Sequence, residues 1–370
     1  MRKLASIQKI ISLSPIPNAD KIEKAIVLGW EVVVAKSENF KVGDLVVYIE
    51  IDSIVPPKPE FEFLKDRKYR VRTIKLRQQV SQGLILPLSI LPRGKYQEGD
   101  DVTSILNIKK YDPEGEAEQK LLNEKLSRNK NKLSKFLLRY SWYKRLLFLF
   151  FPKKNKSFPS FIKKTDEDRI QLFPDICERE RDTKFSITEK IDGQSATYFL
   201  VKNKSKLSFF QKNKYLFGVC SRNIYLPKLD NSSYWSIAKK YNLQEALEKI
   251  IKDISMDYDY IILQGEIIGP NIQGNKYKVE DYDFYAFNLI LPDRNIESGS
   301  AKFMLDSYNI KFVPILDHRN LLSSIPEMVE YSKGNSLIGD TKREGIVCRS
   351  YQKGISFKVI NPEFLLKYEV

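Results

Sequence analysis

Residues 185–199 read "FSITEKIDGQSATYF", and the fold turns on how this stretch is read. Phe185, Ile187 and Ile191 alternate with small or polar residues, the period-two pattern of a half-buried strand. Lys190 falls on the polar side, immediately before Ile191-Asp192-Gly193. Asp-Gly is turn chemistry, and a second strand follows it, so the segment reads as strand, tight turn, strand. The ordinary reading of Lys190 is a surface lysine flanking a hairpin turn. The functional reading is an amine held at the end of a rigid strand, where a reaction needs it.

Composition narrows the chemistry. The chain has one histidine, His318 in "LDHRN", which reads as a loop residue, so histidine acid–base catalysis and His-rich metal sites are nearly excluded. Its three cysteines, Cys177, Cys220 and Cys348, are far apart and form no CxxC pair. That argues against a zinc site and a disulfide framework, and it fits the cytoplasm or another reducing intracellular compartment. The net charge of +15 favours a polyanionic partner such as nucleic acid. No run of 18 apolar residues exists, so no transmembrane segment is expected. The acid-free start, "MRKLASIQKIISLSP", superficially suits a transit peptide. Its apolar spacing continues into "NADKIEKAIVLGWEVVVAK", and it reads as the first strand of a domain.

The chain divides into three segments. Residues 1–105 look all-β: "WEVVVAK", "DLVVYIEIDSIVPP", "KYRVRTIKLR" and "GLILPLSIL" are short β-branched runs separated by turn chemistry. This spacing predicts a small barrel, with the OB-fold the leading candidate. In "RKYRVRTIKLRQQ", Arg70 and Arg72 share one strand face and Lys75 and Arg77 the other. These four are candidate nucleic-acid contacts; basic edge protection is the alternative. Residues 106–165 are expected to form a basic helical linker. Between Lys125 and Lys164 there are thirteen Lys or Arg and no Asp or Glu. Arg128, Lys132, Lys135 and Arg139 fall on one helical face. A nucleic-acid guide, a membrane-surface segment and a solvated helix between domains all remain open readings. Residues 166–370 mix strands with a helix over "NSSYWSIAKKYNLQEALEKIIKDI", giving an α+β domain.

Lys190 gains meaning from an ordered series. After Glu189-Lys190-Ile191-Asp192-Gly193 come "CSRN" with Arg222, "LQGEIIGPNIQGNKY" with Glu266, "DFYAFNLI" with Phe287, "REGIVCRS" with Glu344 and "SFKVINPEFLLKY" with Lys358. This order resembles the covalent nucleotidyltransferase superfamily of ATP-dependent ligases and mRNA capping enzymes. DNA ligases and capping enzymes carry an OB domain after the last motif. Here three residues follow Lys367 and the barrel-like segment lies in front, so no downstream domain is expected. Together with "FPSFIKKTDEDRIQ", the pattern resembles RNA ligases with an N-terminal OB-like domain, the Deinococcus-type RNA ligases.

That resemblance implies an enzyme, an ATP-dependent RNA ligase active in RNA repair. It would seal a 3′-OH end, as a ribonucleotide in a nicked duplex, to a 5′-phosphate end. Lys190 would be the nucleophile that takes AMP from ATP. Glu344 would bind Mg²⁺ or Mn²⁺, and Lys358 would contact the α-phosphate. Glu266 would hold the ribose hydroxyls, with Glu189 and Arg222 also assigned to the nucleotide. Phe287 would face the adenine, Tyr285 being the other candidate stacker. A kinase or phosphatase that prepares the ends is an implied partner. One departure stands out: some relatives place a second lysine two residues after the first in the last motif, where this chain has Ile360, with Lys367 the candidate substitute. Two rival functions share the motifs: a capping-type guanylyltransferase using GTP, and a non-catalytic nucleic-acid-binding protein with a degenerate domain.

Overall fold

The structure, a computed structural model, describes residues 3–111, 158–203, 214–226, 232–254 and 257–368. Most of the basic segment 125–164 therefore lies outside the described residues. The chain forms two compact units: residues 1–111, 167–191 and 313–370 make the first, and 112–166 with 192–312 the second.

The first unit begins with the barrel. Its central strand, Leu45–Ile49, pairs antiparallel with Ala5–Lys9 on one side and Leu84–Pro87 on the other. "LVVYI" carries apolar residues at every position because both of its faces are covered. Val47 and Ile49 join a core with Ile7, Phe61, Leu91 and Val102. Val46 and Tyr48 join a second core with Trp30, Val32 and Ile85. At about 1.5–3 kcal/mol for each fully buried large side chain, this strand is a main source of the barrel's stability. Ser12–Pro15, Ile22–Val27 and Trp30–Ala35 form a further antiparallel sheet. Leu106 and Ile108 belong to the first core, and Lys109–Lys110 pairs with Ser53–Ile54, so barrel packing runs on past residue 105.

The remainder of this unit is a four-stranded antiparallel sheet in the order Ile315–Asn320, Lys184–Lys190, Gly345–Ser350, Ile355–Ile360. Ile187, Cys348 and Phe357 lie side by side across it and pack with Ile176, Ile325 and Met328 from two short helices. Ile51 of the barrel packs with Ile360, Phe364 and Leu365.

The second unit holds a six-stranded sheet ordered Tyr225–Leu226, Tyr215–Cys220, Gln194–Lys202, Tyr260–Ile268, Asp283–Ile290, Lys311–Phe312. The strands on either side of Asp192-Gly193 thus belong to different sheets and form no hairpin. The expected helix over 231–254 is two helices, Ser233–Lys240 and Leu243–Asp253. Asn242 breaks it with φ 46°, a left-handed conformation that asparagine adopts more readily than most residues. The apolar positions of the two helices, Ile237, Leu243, Ala246, Leu247, Ile250 and Ile251, are all buried. Among the described residues no helix is long and apolar enough to cross a membrane.

Candidate active site

The Lys184–Lys190 strand sorts its residues by face. Lys190 lies opposite Gly345, which lies opposite Ile360; Thr188 lies opposite Val347, which lies opposite Lys358. Residues paired across a ladder share a face, and so do residues two apart. Lys190 and Lys358 therefore stand on one face of the sheet. Ser186, Arg349 and Ser356 continue that face, and Glu167 accepts from Arg349 at 3.1 Å and from Ser356 at 2.6 Å. The opposite face is the apolar core. The alternation seen in the sequence is thus the division between chemistry and packing.

Glu344, one residue before the Gly345–Ser350 strand, places its carboxylate 2.5 Å from Lys190 Nζ. Both side chains are largely buried. Glycine at 345 lets the neighbouring strand lie close, since a Cβ there would stand 2.2 Å from the Val359 carbonyl oxygen. Lys358 is fixed through its backbone, whose N–H donates to Asp168 O at 2.8 Å.

Glu189 points the other way. It lies opposite Ile346 on the core face, is 1% exposed, and accepts the Leu337 N–H at 2.9 Å. Burial raises its carboxyl above the usual carboxylate range; the Leu337 N–H, the Ser336 hydroxyl and Arg343 oppose that rise. The missing second lysine also has a physical account. Ile360 lies two residues from Lys358 and is buried against Ile51, Phe364 and Leu365, a position that excludes a charge. Lys367 is exposed, with its ammonium 4.9 Å from the centre of the Tyr368 ring.

In the second unit, Glu266 lies between Ser195 and Tyr285 on neighbouring strands. The register slips by one residue, so that Gly265 faces Ala286 and Gln264 faces Asn288, leaving Phe287 as the extra residue. Such bulges re-aim a side chain and recur beside active sites. The slip also breaks the simple alternation of faces between Tyr285 and Phe287. Tyr285 has Lys311 Nζ 5.4 Å from its ring centre. Burial, then the Asp283 charge, raises its hydroxyl. Arg222 donates to Asp166 at 2.8 Å. Asp192 pairs with Lys276 and donates its backbone N–H to the Tyr277 hydroxyl at 2.8 Å. Sequence reasoning missed Lys276 and Tyr277; the only signal was their closeness to Glu266 in "GEIIGPNIQGNKY".

The basic stretch of the barrel differs from expectation. It is not one strand: Arg70–Val71 and Ile74–Leu76 are separate, and Arg77 and Gln78 form a left-handed turn leading to Gln79–Ser81. Arg70 donates to Asp52 at 3.3 Å and lies 3.8 Å from the Tyr111 ring centre. Arg72 is half-buried, while Lys75 and Arg77 are exposed.

The donor set fits a particular kind of metal. Among the described residues no group of three or more His, Cys, Asp or Glu is arranged to hold an ion unaided. A single carboxylate such as Glu344 suits Mg²⁺ or Mn²⁺, hard cations that complete their shells with substrate phosphates and water.

Comparisons with known proteins give the family. An OB-fold domain family matches residues 4–88, and the RNA ligase family matches residues 183–367. Among solved structures, a Naegleria gruberi RNA ligase with pyrophosphate is 31% identical, with TM-score 0.78, over 100% of this chain and 99% of that one. A lysine-to-alanine variant of that ligase with ATP and Mn is 31% identical, with TM-score 0.78, over 99% of each chain. Its lysine-to-methionine variant with AMP and Mn is 30% identical, with TM-score 0.77, over 100% of this chain and 99% of that one. No curated protein sequence matches. The fold is that of a nucleotidyl-transferring enzyme, and the chain belongs to the RNA ligase family. It is a polynucleotide ligase with an N-terminal OB-fold domain.

Proposed function

We propose that this protein is an ATP-dependent RNA ligase that seals 3′-OH to 5′-phosphate ends through a lysyl-AMP intermediate, with a ribonucleotide 3′-OH at a nick as the preferred acceptor. The observation that carries the reading is the shared face of Lys190 and Lys358 with Glu344 at 2.5 Å from the amine.

Three transfers follow. The Lys190 nitrogen attacks the α-phosphorus of ATP; an N–P bond forms and the bond to pyrophosphate breaks. The 5′-phosphate oxygen of one end then takes AMP from the lysine. Finally the 3′-hydroxyl attacks that 5′-phosphorus, the phosphodiester forms, and AMP leaves. The first attack needs a neutral amine, so the Lys190 ammonium must give up its proton. A divalent cation bound at Glu344 would neutralise phosphate charge and favour the neutral amine beside it. Lys358 would act as a point charge on the α-phosphate. Glu266 would accept from the ribose hydroxyls, Phe287 would face the adenine, and Arg222, released from Asp166, would meet the ribose or a substrate phosphate. Lys75, Arg77 and Arg72 would contact the nucleic-acid backbone. Arg70, held by Asp52 and Tyr111, would shape that surface from beneath. In domain terms, residues 1–105 would dock the nucleic acid, 106–165 would link, and 166–370 would carry the chemistry.

The spacing of residues substituted in the Naegleria structures supports these roles. A lysine and an aspartate there stand two positions apart, as Lys190 and Asp192 do. A glutamate and a lysine stand fourteen apart, as Glu344 and Lys358 do. Breaks that carry other end groups would need a kinase or phosphatase to prepare them. Three buried free cysteines favour a reducing intracellular compartment. The test is sealing of a nicked duplex whose 3′-OH terminus is a ribonucleotide or a deoxynucleotide. Faster sealing of the ribonucleotide end supports the reading, and equal sealing of both removes the RNA preference.

A further inference from the structure

We infer that Lys276 is a positioning residue for lysine adenylation, acting through Asp192, and that Tyr277 completes the same grip. The inference rests on the lysyl-AMP reading above and concerns residues that no sequence motif marked.

The segment after the Glu266 strand has an unusual backbone. Asn271, Gln273, Asn275 and Lys278 all have left-handed φ, at 65°, 47°, 48° and 54°. Non-glycine residues adopt this conformation at a cost, and a cluster persists only where the surroundings fix it. Asn275 does much of the fixing: its amide donates to Val279 O at 2.9 Å, its side-chain oxygen accepts Val279 N–H at 3.1 Å, and its own N–H donates to Ile272 O at 2.7 Å. The shape so held presents two consecutive side chains to one target. Lys276 pairs with the Asp192 carboxylate, and the Tyr277 hydroxyl accepts the Asp192 backbone N–H at 2.8 Å. Tyr277 is buried, and the ion-paired side chains are only 15% and 16% exposed.

Asp192 is thus gripped at its charge and at its backbone. Its neighbour Gly193 runs close against the next strand, where a Cβ would stand 2.5 Å from Ile267 O. Lys190 is two residues away in the chain, so the course of the backbone leaving the nucleophile is set by this grip. Orientation of a nucleophile at a phosphorus tolerates little error; a displacement of about 1 Å can cost on the order of 10²-fold in rate. Removing the lysine from an ion pair this buried leaves the Asp192 charge without that compensation. Loss of Lys276 would therefore free Asp192 to seek solvent and carry the adjoining backbone with it.

The test uses the full chain and four proteins beside the wild type: Lys276→Met, Lys276→Arg, Asp192→Asn and the Asp192→Asn/Lys276→Met double variant. Single-turnover labelling with α-labelled ATP gives the rate and the ATP dependence of Lys190-AMP formation. Sealing of a pre-adenylated nick, which does not need the lysine as nucleophile, is measured in parallel, with thermal melting of each variant. We expect Lys276→Met to slow adenylation at saturating ATP by about tenfold or more, with KM for ATP and pre-adenylated sealing near wild type. Lys276→Arg should restore most of the rate, and the double variant should be little slower than either single one. A rise in KM alone would make Lys276 a direct phosphate contact and overturn the inference. So would parallel loss of both reactions with a lowered melting temperature, or an unchanged adenylation rate. A wild type that forms no adenylate would instead refute the ligase reading itself.

Discussion

Asp52 and Arg169 are predicted to differ sharply in what their removal costs, although they are partners in one ion pair. Arg169 Nη2 donates to Asp52 Oδ2 at 3.0 Å, and its guanidinium lies 5.4 Å from the Trp30 ring centre. The arginine is buried, and its Nε and Nη1 have no hydrogen-bond partner among the described residues. Asp52 is shared, since its other oxygen accepts from Arg70 at 3.3 Å. Asp52→Asn keeps the shape and tolerates the left-handed φ of 64°, so it removes only the charge. It leaves Arg169 buried without a counter-ion, at a cost of about 3 kcal/mol or more. Arg169→Met acts differently. It loses one charge-assisted hydrogen bond, about 1.5–3 kcal/mol, but ends the burial of two unpaired N–H groups at about 1–3 kcal/mol each. The second contribution at least offsets the first, Asp52 retains Arg70, and Met fills much of the vacated space, so Arg169→Met should cost clearly less than Asp52→Asn. Urea unfolding followed by tryptophan fluorescence checks the order, and the double variant should regain most of what Asp52→Asn loses. If Arg169→Met costs as much as Asp52→Asn, or the double variant is the least stable, the reasoning is refuted. Arg169 also bridges Lys358 through the backbone, so the same variants report on how the barrel supports the reacting sheet.

Three further outcomes are expected. Gly345→Ala should lower stability by at least about 2 kcal/mol, because the new Cβ meets a backbone carbonyl that cannot swing away; an unshifted thermal melt would contradict this. Glu189 has a raised carboxyl in the folded state, so the native protein binds its proton more tightly than the unfolded chain does. The stability it contributes therefore falls as pH rises from the unfolded value through the raised folded one. Melting curves across that window should show Glu189→Gln gaining on the wild type with rising pH; a flat or reversed difference would count against the burial argument. Burial pushes the Cys220 thiol up to about 12 and raises Cys177 and Cys348 as well. Iodoacetamide at pH 8 should leave the native protein unlabelled and modify all three cysteines after denaturation, as mass spectrometry would show; rapid native labelling would contradict their burial.

How much of this was legible in the sequence depends on how local each signal is. Alternation in 185–191 reported the two faces of a strand, and the motif order reported the residues now found on one face or beside it: Lys190, Lys358 and Glu344. The OB-type barrel was legible because its strands are short, β-branched and separated by turn residues. Partnership was not legible. Asp192-Gly193 carries ordinary turn chemistry, yet the strands flanking it join different sheets, because alternation records burial and not which strand lies alongside. The break in the basic run was hidden for a related reason: Arg77 and Gln78 make a left-handed turn without glycine or asparagine to announce it. Lys276 lies 84 residues from Asp192, and nothing local to a lysine in a polar loop reveals such a contact. The helix break at Asn242 was the reverse case, a signal present but outweighed by strong periodicity on both sides.

The most direct test of the central claim is incubation of the purified protein with α-labelled ATP and Mg²⁺, followed by denaturing electrophoresis, with Lys190→Ala alongside. A labelled protein band that requires ATP, the metal and Lys190 is expected. Labelling that persists in Lys190→Ala would contradict the assignment of the nucleophile. Labelling by GTP in place of ATP would contradict the donor.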